Sequence, residues 1–358
     1  MMSPTNLFLV LCAGSAYAAE VFVMNGAGTT NPKKVFWKAM DLIMERARLP
    51  LHMTYRAVGS STGQMEFVGY DEAPYKALNN FGAGDIPMSN ANYDLLTAQG
   101  RKMLHVPFAM GAIGVFHSVP TAGLGGAPLD LTPCVLAKIF STQITDWSDP
   151  EIRELNPSMT HSGPISVTHR VEGSSSTAGF TAYLGKATED TCPNVWTLGT
   201  GSTIVWPAET NAAQGSGGMS DFIAATEGAI GYIDAGHGHA EGLGEVDLLN
   251  KDGLYLSTKE ADIGAAGTVA LSAVPSAIPT DPTSNFGDVN LYNLEGPTTW
   301  PITMITYFYL DLDMTSYDPT TAALVMCVAG ARTAHPKPLS MLHALLHALL
   351  HALTERCM

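Results

Sequence analysis

Arg170 stands three residues before a run of small polar residues, Gly173-Ser174-Ser175-Ser176-Thr177, that opens a helix. A helix start carries unpaired N–H groups and a partial positive charge, so it attracts anions. A guanidinium beside it adds a permanently charged, two-pronged donor, and Glu172 can orient that fork. Three further stretches have the same character: Gly26 to Pro32, Gly59-Ser60-Ser61-Thr62-Gly63, and Gly215 to Ser220. Repeated in one chain, they describe a cradle for an oxyanion.

Other residues could do different chemistry. Gly59-x-Ser61-x-Gly63 follows a strand pattern and precedes a helical one, the setting of a serine-hydrolase nucleophile. His161, His169 and His237 are candidate bases, and a secreted hydrolase using Ser61 is the alternative reading. His237-Gly238-His239 lacks a third ligand for a metal, and Gly26-x-Gly28 lacks the third glycine of a dinucleotide loop. Neither a metal nor a cofactor is expected.

The elements that must position these loops alternate strand and helix, which makes an α/β protein. A strand is expected from Glu20 to Met24, and a helix capped by Asn31 with Pro32 at its first position. Leu51, Met53, Tyr55 and Ala57 alternate with polar residues as a strand does. Ser61 and Gln64 have capping-box spacing, and Phe81 to Asp85 ends another strand. Apolar segments at Val106–Val119 and Ala229–Ile233 flank a central block. Leu271 to Pro301 should run over the surface, and Trp300 to Leu312 is a last long strand.

Lys and Arg total 18 against 33 acidic residues, a formal charge of -15. That balance excludes a nucleic-acid partner, which needs a basic surface. It would also repel an anionic ligand, so local dipoles and a placed cation must hold it. Leu7 to Ala13 with Ala16-Tyr17-Ala18 has the form of a secretion signal ending near residue 19, although no Lys or Arg precedes it. Leu11 before Cys12 argues against a lipid anchor. Removing the signal leaves Cys134, Cys192, Cys327 and Cys357, among which one bridge is possible and the pairing is open. From Leu342 the repeated Leu-His-Ala-Leu reads as a low-complexity helical tail over residues 335–358.

In chain order, these loops resemble the substrate-binding subunit of bacterial ABC phosphate importers. The resemblance is carried by Gly26-Ala27-Gly28-Thr29-Thr30-Asn31-Pro32, Gly59 to Gly63, Phe81-Gly82-Ala83-Gly84-Asp85-Ile86-Pro87-Met88 and Ile139-Phe140 through Trp147-Ser148-Asp149-Pro150 to Leu155-Asn156-Pro157. It continues through His169 to Thr177, Gly228-Ala229-Ile230-Gly231-Tyr232 and Trp300-Pro301-Ile302, spanning residues 21 to 333. It implies a two-lobed periplasmic binding-protein fold of type II, with ligand in the inter-lobe cleft and flytrap-like closure. It implies lobe 1 at 20–107 plus 240–334 and lobe 2 at 108–239, with crossovers between the lobes near Val106 and Ala229. By position, Thr30, Asn31, Ser60 and Asp85 of the first lobe and Arg170, Ser174, Ser175 and Ser176 of the second would bind inorganic phosphate. Asn31 stands where the family often has Phe, and Ser175 where it usually has Gly. The expected protein is a monomeric receptor, not an enzyme, secreted to the periplasm or cell exterior. It would serve ABC transporter membrane subunits; a receptor for another tetrahedral oxyanion is the nearest variant.

Overall fold

The computed structural model describes residues 21–314 except 48–49, 71–78, 190 and 274–275. The expected signal segment and the His-Ala-Leu tail lie outside the described residues. In chain order the elements are β1 (Phe22–Gly28), α1 (Lys33–Arg46), β2 (Leu51–Ala57), α2 (Ser60–Val68), β3 (Phe81–Gly84), α3 (Asn90–Ala98) and β4 (Met103–His117). Then follow β5 (Leu129–Leu131), α4 (Pro133–Phe140), α5 (Pro150–Leu155), β6 (Ser166–Arg170), α6 (Ser175–Glu189), β7 (Asn211–Ala213), α7 (Gly215–Ala225) and β8 (Ala229–Asp234). The last are α8 (Ala235–Ala240), β9 (Gly244–Leu249), β10 (Tyr255–Leu256), α9 (Ala265–Ser272) and β11 (Thr303–Asp311).

The alternating residues from Leu51 to Ala57 form β2, which pairs with β1 in parallel from Phe22↔Leu51 to Gly28↔Ala57. β3 joins the other side of β1 in parallel, with Gly26 opposite Phe81. The main strand order is β2-β1-β3-β11-β4-β8-β6-β7. The long β4 belongs to both halves: Met103–Ala112 pairs with β11, and Ile113–His117 pairs with β8.

Two apolar clusters sandwich the first half-sheet. Phe36, Met40 and Ile43 of α1 lie against Met24, Met53, Tyr55 and Phe81 on one face. Phe67, Leu96, Phe286, Tyr307 and Tyr309 fill the other. The second half has its own core, which includes Leu136, Phe140, Trp147, Phe180, Tyr183 and Tyr232. Each half therefore encloses enough apolar surface to hold its own loops in place.

Several sequence expectations are corrected. β1 extends through Gly28, so the first glycine loop begins as strand. Pro32, not Asn31, caps α1, and the Asn31 side chain is used elsewhere. Gly59 caps α2, so Ser61 and Gln64 form no capping box; Gln64 instead donates to Pro87 O and Tyr309 OH. Ala229–Ile233 is not a crossover, because β8 pairs with the end of β4 and with β6 inside the second half. The strand that accompanies β4 between halves is β11, whose Met304 lies in the second core and Leu310 in the first. Nor does the chain return to the first half at residue 240. β9 pairs with β5, and Val246 and Leu248 are buried in the second core. Within the expected surface stretch, Phe286, Leu291 and Trp300 are buried.

Candidate functional site

The parallel strands β1, β2 and β3 deliver their carboxyl ends to one edge, where loops leave for Thr29–Asn31, Gly59–Ser60 and Asp85. In the second half, parallel β6 and β7 do the same for Arg170–Ser175 and Gln214–Ser216. Ligand sites form at such carboxyl ends, where strand order changes and helix starts converge. Two glycines permit the approach. Gly59 has φ +96°, which an L-residue resists, and it lies against Gly173 O; a Cβ there would sit 3.0 Å from that oxygen. A Cβ on Gly63 would lie 2.4 Å from Gly28 Cα, so only glycine lets α2 rest on β1.

Asp85 is the centre of the contacts. Its Oδ2 accepts from Thr29 Oγ1, from Asn31 Nδ2 at 2.7 Å and from Ser175 Oγ at 3.1 Å. Its Oδ1 accepts from Thr306 Oγ1 at 2.7 Å, and its backbone N–H donates to Ser60 Oγ at 3.4 Å. Burial pushes the carboxyl up to about 6, the charge of Asp234 adds to this, and the hydroxyl donors pull the other way.

Arg170 is its counterpart. The side chain is 2% exposed, with Nε 3.5 Å from Glu172 Oε2. Nη1 donates to Ser174 Oγ at 2.9 Å, while Nη2 is buried without a hydrogen-bond partner. Burial lowers its pKa; Glu172, Tyr232 and Asp85 oppose that shift. Ser174 Oγ also accepts from Ser176 N at 3.1 Å, which caps the start of α6, and Ser176 Oγ is buried with no partner. A buried donor left unpaired costs free energy, and the usual compensation is a ligand or ordered water.

The two halves touch at this point. Besides Ser175–Asp85, Thr30 Oγ1 and Ser216 Oγ are 2.9 Å apart, and Ser216 Oγ donates to Asn31 Oδ1 at 2.9 Å. Thus Thr30, Asn31, Ser60 and Asp85 meet Ser174, Ser175, Ser176 and Arg170 within one hydrogen-bonded cluster and its immediate neighbours. Sequence reasoning did not single out Thr29, Ser216 or Thr306. Thr29 and Ser216 lie in loops already marked by composition. Thr306 lies in an apolar strand, at a register shift between Thr306 and Tyr307 that turns its hydroxyl to Asp85.

The hydrolase alternative finds no support in this geometry. Ser61 is the second residue of α2, not the strained turn that exposes a nucleophile. His169 lies against Arg170 O and Trp206, and His237 against Asp234; among the described residues no histidine hydrogen-bonds Ser61. His239 contacts Thr258 and Glu245, and the described residues include no group of three or more His, Cys, Asp or Glu placed to hold a metal.

A family model for the PBP superfamily domain matches residues 13–324. The chain belongs to this superfamily. Among curated relatives, the phosphate-binding protein PstS of Pasteurella multocida is 28% identical over 315 residues, covering 87% of this chain and 82% of the relative. The PstS protein of Methanocaldococcus jannaschii is 27% identical over 297 residues, covering 80% and 72%. A solved phosphate-binding protein from Stenotrophomonas maltophilia superposes with TM-score 0.64 at 18% identity, covering 92% of this chain and 90% of the other. The periplasmic phosphate-binding protein PfluDING, solved with phosphate, gives 0.61 at 18% identity, with 87% of each chain covered. The PBP-superfamily chain thus has the periplasmic binding-protein fold, built here on strands β4 and β11 that run through both halves. No described helix is long and apolar enough to cross a membrane. Cys134 is bridged to Cys192, a pairing that spacing could not select.

Proposed function

We propose that this protein is a secreted receptor that closes around inorganic phosphate and delivers it to an ABC-type transporter, without catalysing a reaction. Lobe 1 comprises β1 to the first half of β4, together with α9 and the end of β11. Lobe 2 comprises the second half of β4 through β10. The observation that carries the reading is Arg170 Nη2, a buried cationic donor with no hydrogen-bond partner at the meeting point of the two halves.

Phosphate near neutral pH carries either one charge and two protons or two charges and one proton. Its charge matches Arg170, the Ser174–Ser176 loop and the starts of α1, α2 and α6, each hydrogen bond to a charged group contributing about 1.5–3 kcal/mol. Its proton matches Asp85, a carboxylate that can only accept. Sulfate has no proton to offer and would meet Asp85 oxygen to oxygen, so the same carboxylate selects against it. The Cys134–Cys192 bridge fits an oxidising compartment outside the cytosol. Calorimetry of residues 20–358 with phosphate, sulfate and arsenate tests the proposal. One phosphate per chain with weak or absent sulfate binding is expected; equal affinity for sulfate, or no phosphate binding, would overturn it.

A further inference from the structure

We infer that Lys33, Lys34 and Lys38 form an electrostatic entry ramp that draws the anion to the cleft against the charge of the rest of the chain. The inference rests on the phosphate-binding reading and adds how the ligand arrives; it does not posit a second binding site. From residue 21 to residue 40 the chain has three lysines and no Asp or Glu, in a protein of formal charge -15.

Lys33 and Lys34 lie next to the site, and Lys38 follows more than a turn further along α1. α1 begins at Lys33, two residues after Asn31, whose amide touches Asp85. Lys34 and Lys38 are exposed and Lys33 is half-buried. The place of Lys33 and Lys34 on the helix is locally unfavourable, because the first turn of a helix favours acidic side chains. Here that turn has no acid, opens with two lysines and has no side-chain cap. A choice that weakens the helix start strengthens the positive field at that end, where the helix dipole already points toward the cleft.

Trp37 supports the arrangement. It is 43% exposed, yet fixed by Nε1 donating to Tyr55 O at 3.1 Å. Lys33 Nζ stands 6.0 Å from the centre of its ring, a cation–π distance that keeps the ammonium on the surface of α1. Asp41 and Glu45 lie further along the helix, away from the cleft end. Glu66, on α2, is already paired with Arg56.

A charged entrance raises association rates by roughly tenfold or more, and salt weakens the effect. The sign of the salt dependence is therefore diagnostic. A uniformly acidic protein should bind phosphate faster as salt screens repulsion; a protein with this ramp should bind more slowly. Rapid-filtration kinetics with radiolabelled phosphate, from about 0.01 M to about 0.3 M ionic strength, spans screening lengths of roughly 30 Å down to several ångströms. The wild-type association rate should fall with salt. Replacing all three lysines by glutamine should slow association about tenfold at low salt, leave dissociation unchanged and remove the downward slope. Replacing them by arginine should preserve the wild-type behaviour, which separates charge from folding effects. A wild-type rate that rises with salt, or a glutamine variant equal to wild type at low salt, would overturn the ramp while leaving phosphate binding intact. Absence of equilibrium phosphate binding to the wild type would instead remove the receptor reading, and the ramp with it.

Discussion

Ser175 Oγ, at the first position of α6, donates to Asp85 Oδ2 across 3.1 Å and so joins the two halves. A glycine at this position could not make that bond. A hydrogen bond to a carboxylate contributes about 1.5–3 kcal/mol, enough to bias a two-state closure by tenfold or more. Ser175→Gly is expected to shift the ligand-free protein toward an open form. Small-angle scattering should show a larger radius of gyration for the variant without phosphate and equal radii with it. Equal radii in both conditions would remove Ser175 from closure.

Arg170→Ala should be the most damaging change at the site. It removes a buried charge and leaves a dianion with neutral donors, a loss on the order of 3–5 kcal/mol. Calorimetry should show affinity reduced by at least a hundredfold. Arg170→Lys should recover only part, since an ammonium cannot reach Ser174 and a ligand with the same planar fork. Affinity within a few-fold of wild type in the alanine variant would rule out the assignment.

Much of this organisation was legible in the residues. The alternation at Leu51–Ala57 gave β2, and the small-polar loops before α2, α6 and α7 lie where the carboxyl ends of the strands converge. What was hidden depended on tertiary contacts. Asn31 has the form of a helix cap, yet a buried carboxylate competes for its amide. Thr306 is one of three Thr or Asp residues in a mostly apolar strand, and its bond to Asp85, beside a register shift at Tyr307, is a tertiary contact. The run from Gly244 to Leu249 has no mark of which half it joins; pairing with β5 decides that.

The disulfide is expected to matter for stability and not for ligand chemistry. Cys134 and Cys192 are 58 residues apart, so their bond removes much of the unfolded chain's freedom. It also ties α4 to the segment just beyond α6, whose other end is the Ser174–Ser176 loop. Cys134→Ser with Cys192→Ser should lower unfolding free energy by about 2–4 kcal/mol and leave phosphate stoichiometry unchanged. Denaturant unfolding of both proteins checks this; an unchanged midpoint would contradict it.

Asp85 should make both stability and selectivity depend on pH. Its folded-state pKa of about 6 lies above the ordinary 3.8, so between those values the folded form holds more protons than the unfolded one. Stability of the ligand-free protein should therefore rise as pH falls from about 7 toward 4, by roughly 2–3 kcal/mol from this residue. Asp85→Asn has no such proton and should lack that component, which paired unfolding curves would reveal. The same protonation alters recognition. Ionised Asp85 accepts a proton-bearing oxygen and repels a bare one; protonated Asp85 can donate, as the asparagine amide can. Sulfate should therefore be rejected strongly by the wild type at pH 8, and less strongly at pH 5 or by Asp85→Asn at either pH. Calorimetric titrations with both anions at the two pH values separate this from a cap role for Asp85. A sulfate-to-phosphate ratio unmoved by pH and by the substitution would show that Asp85 shapes the loop without selecting the ligand.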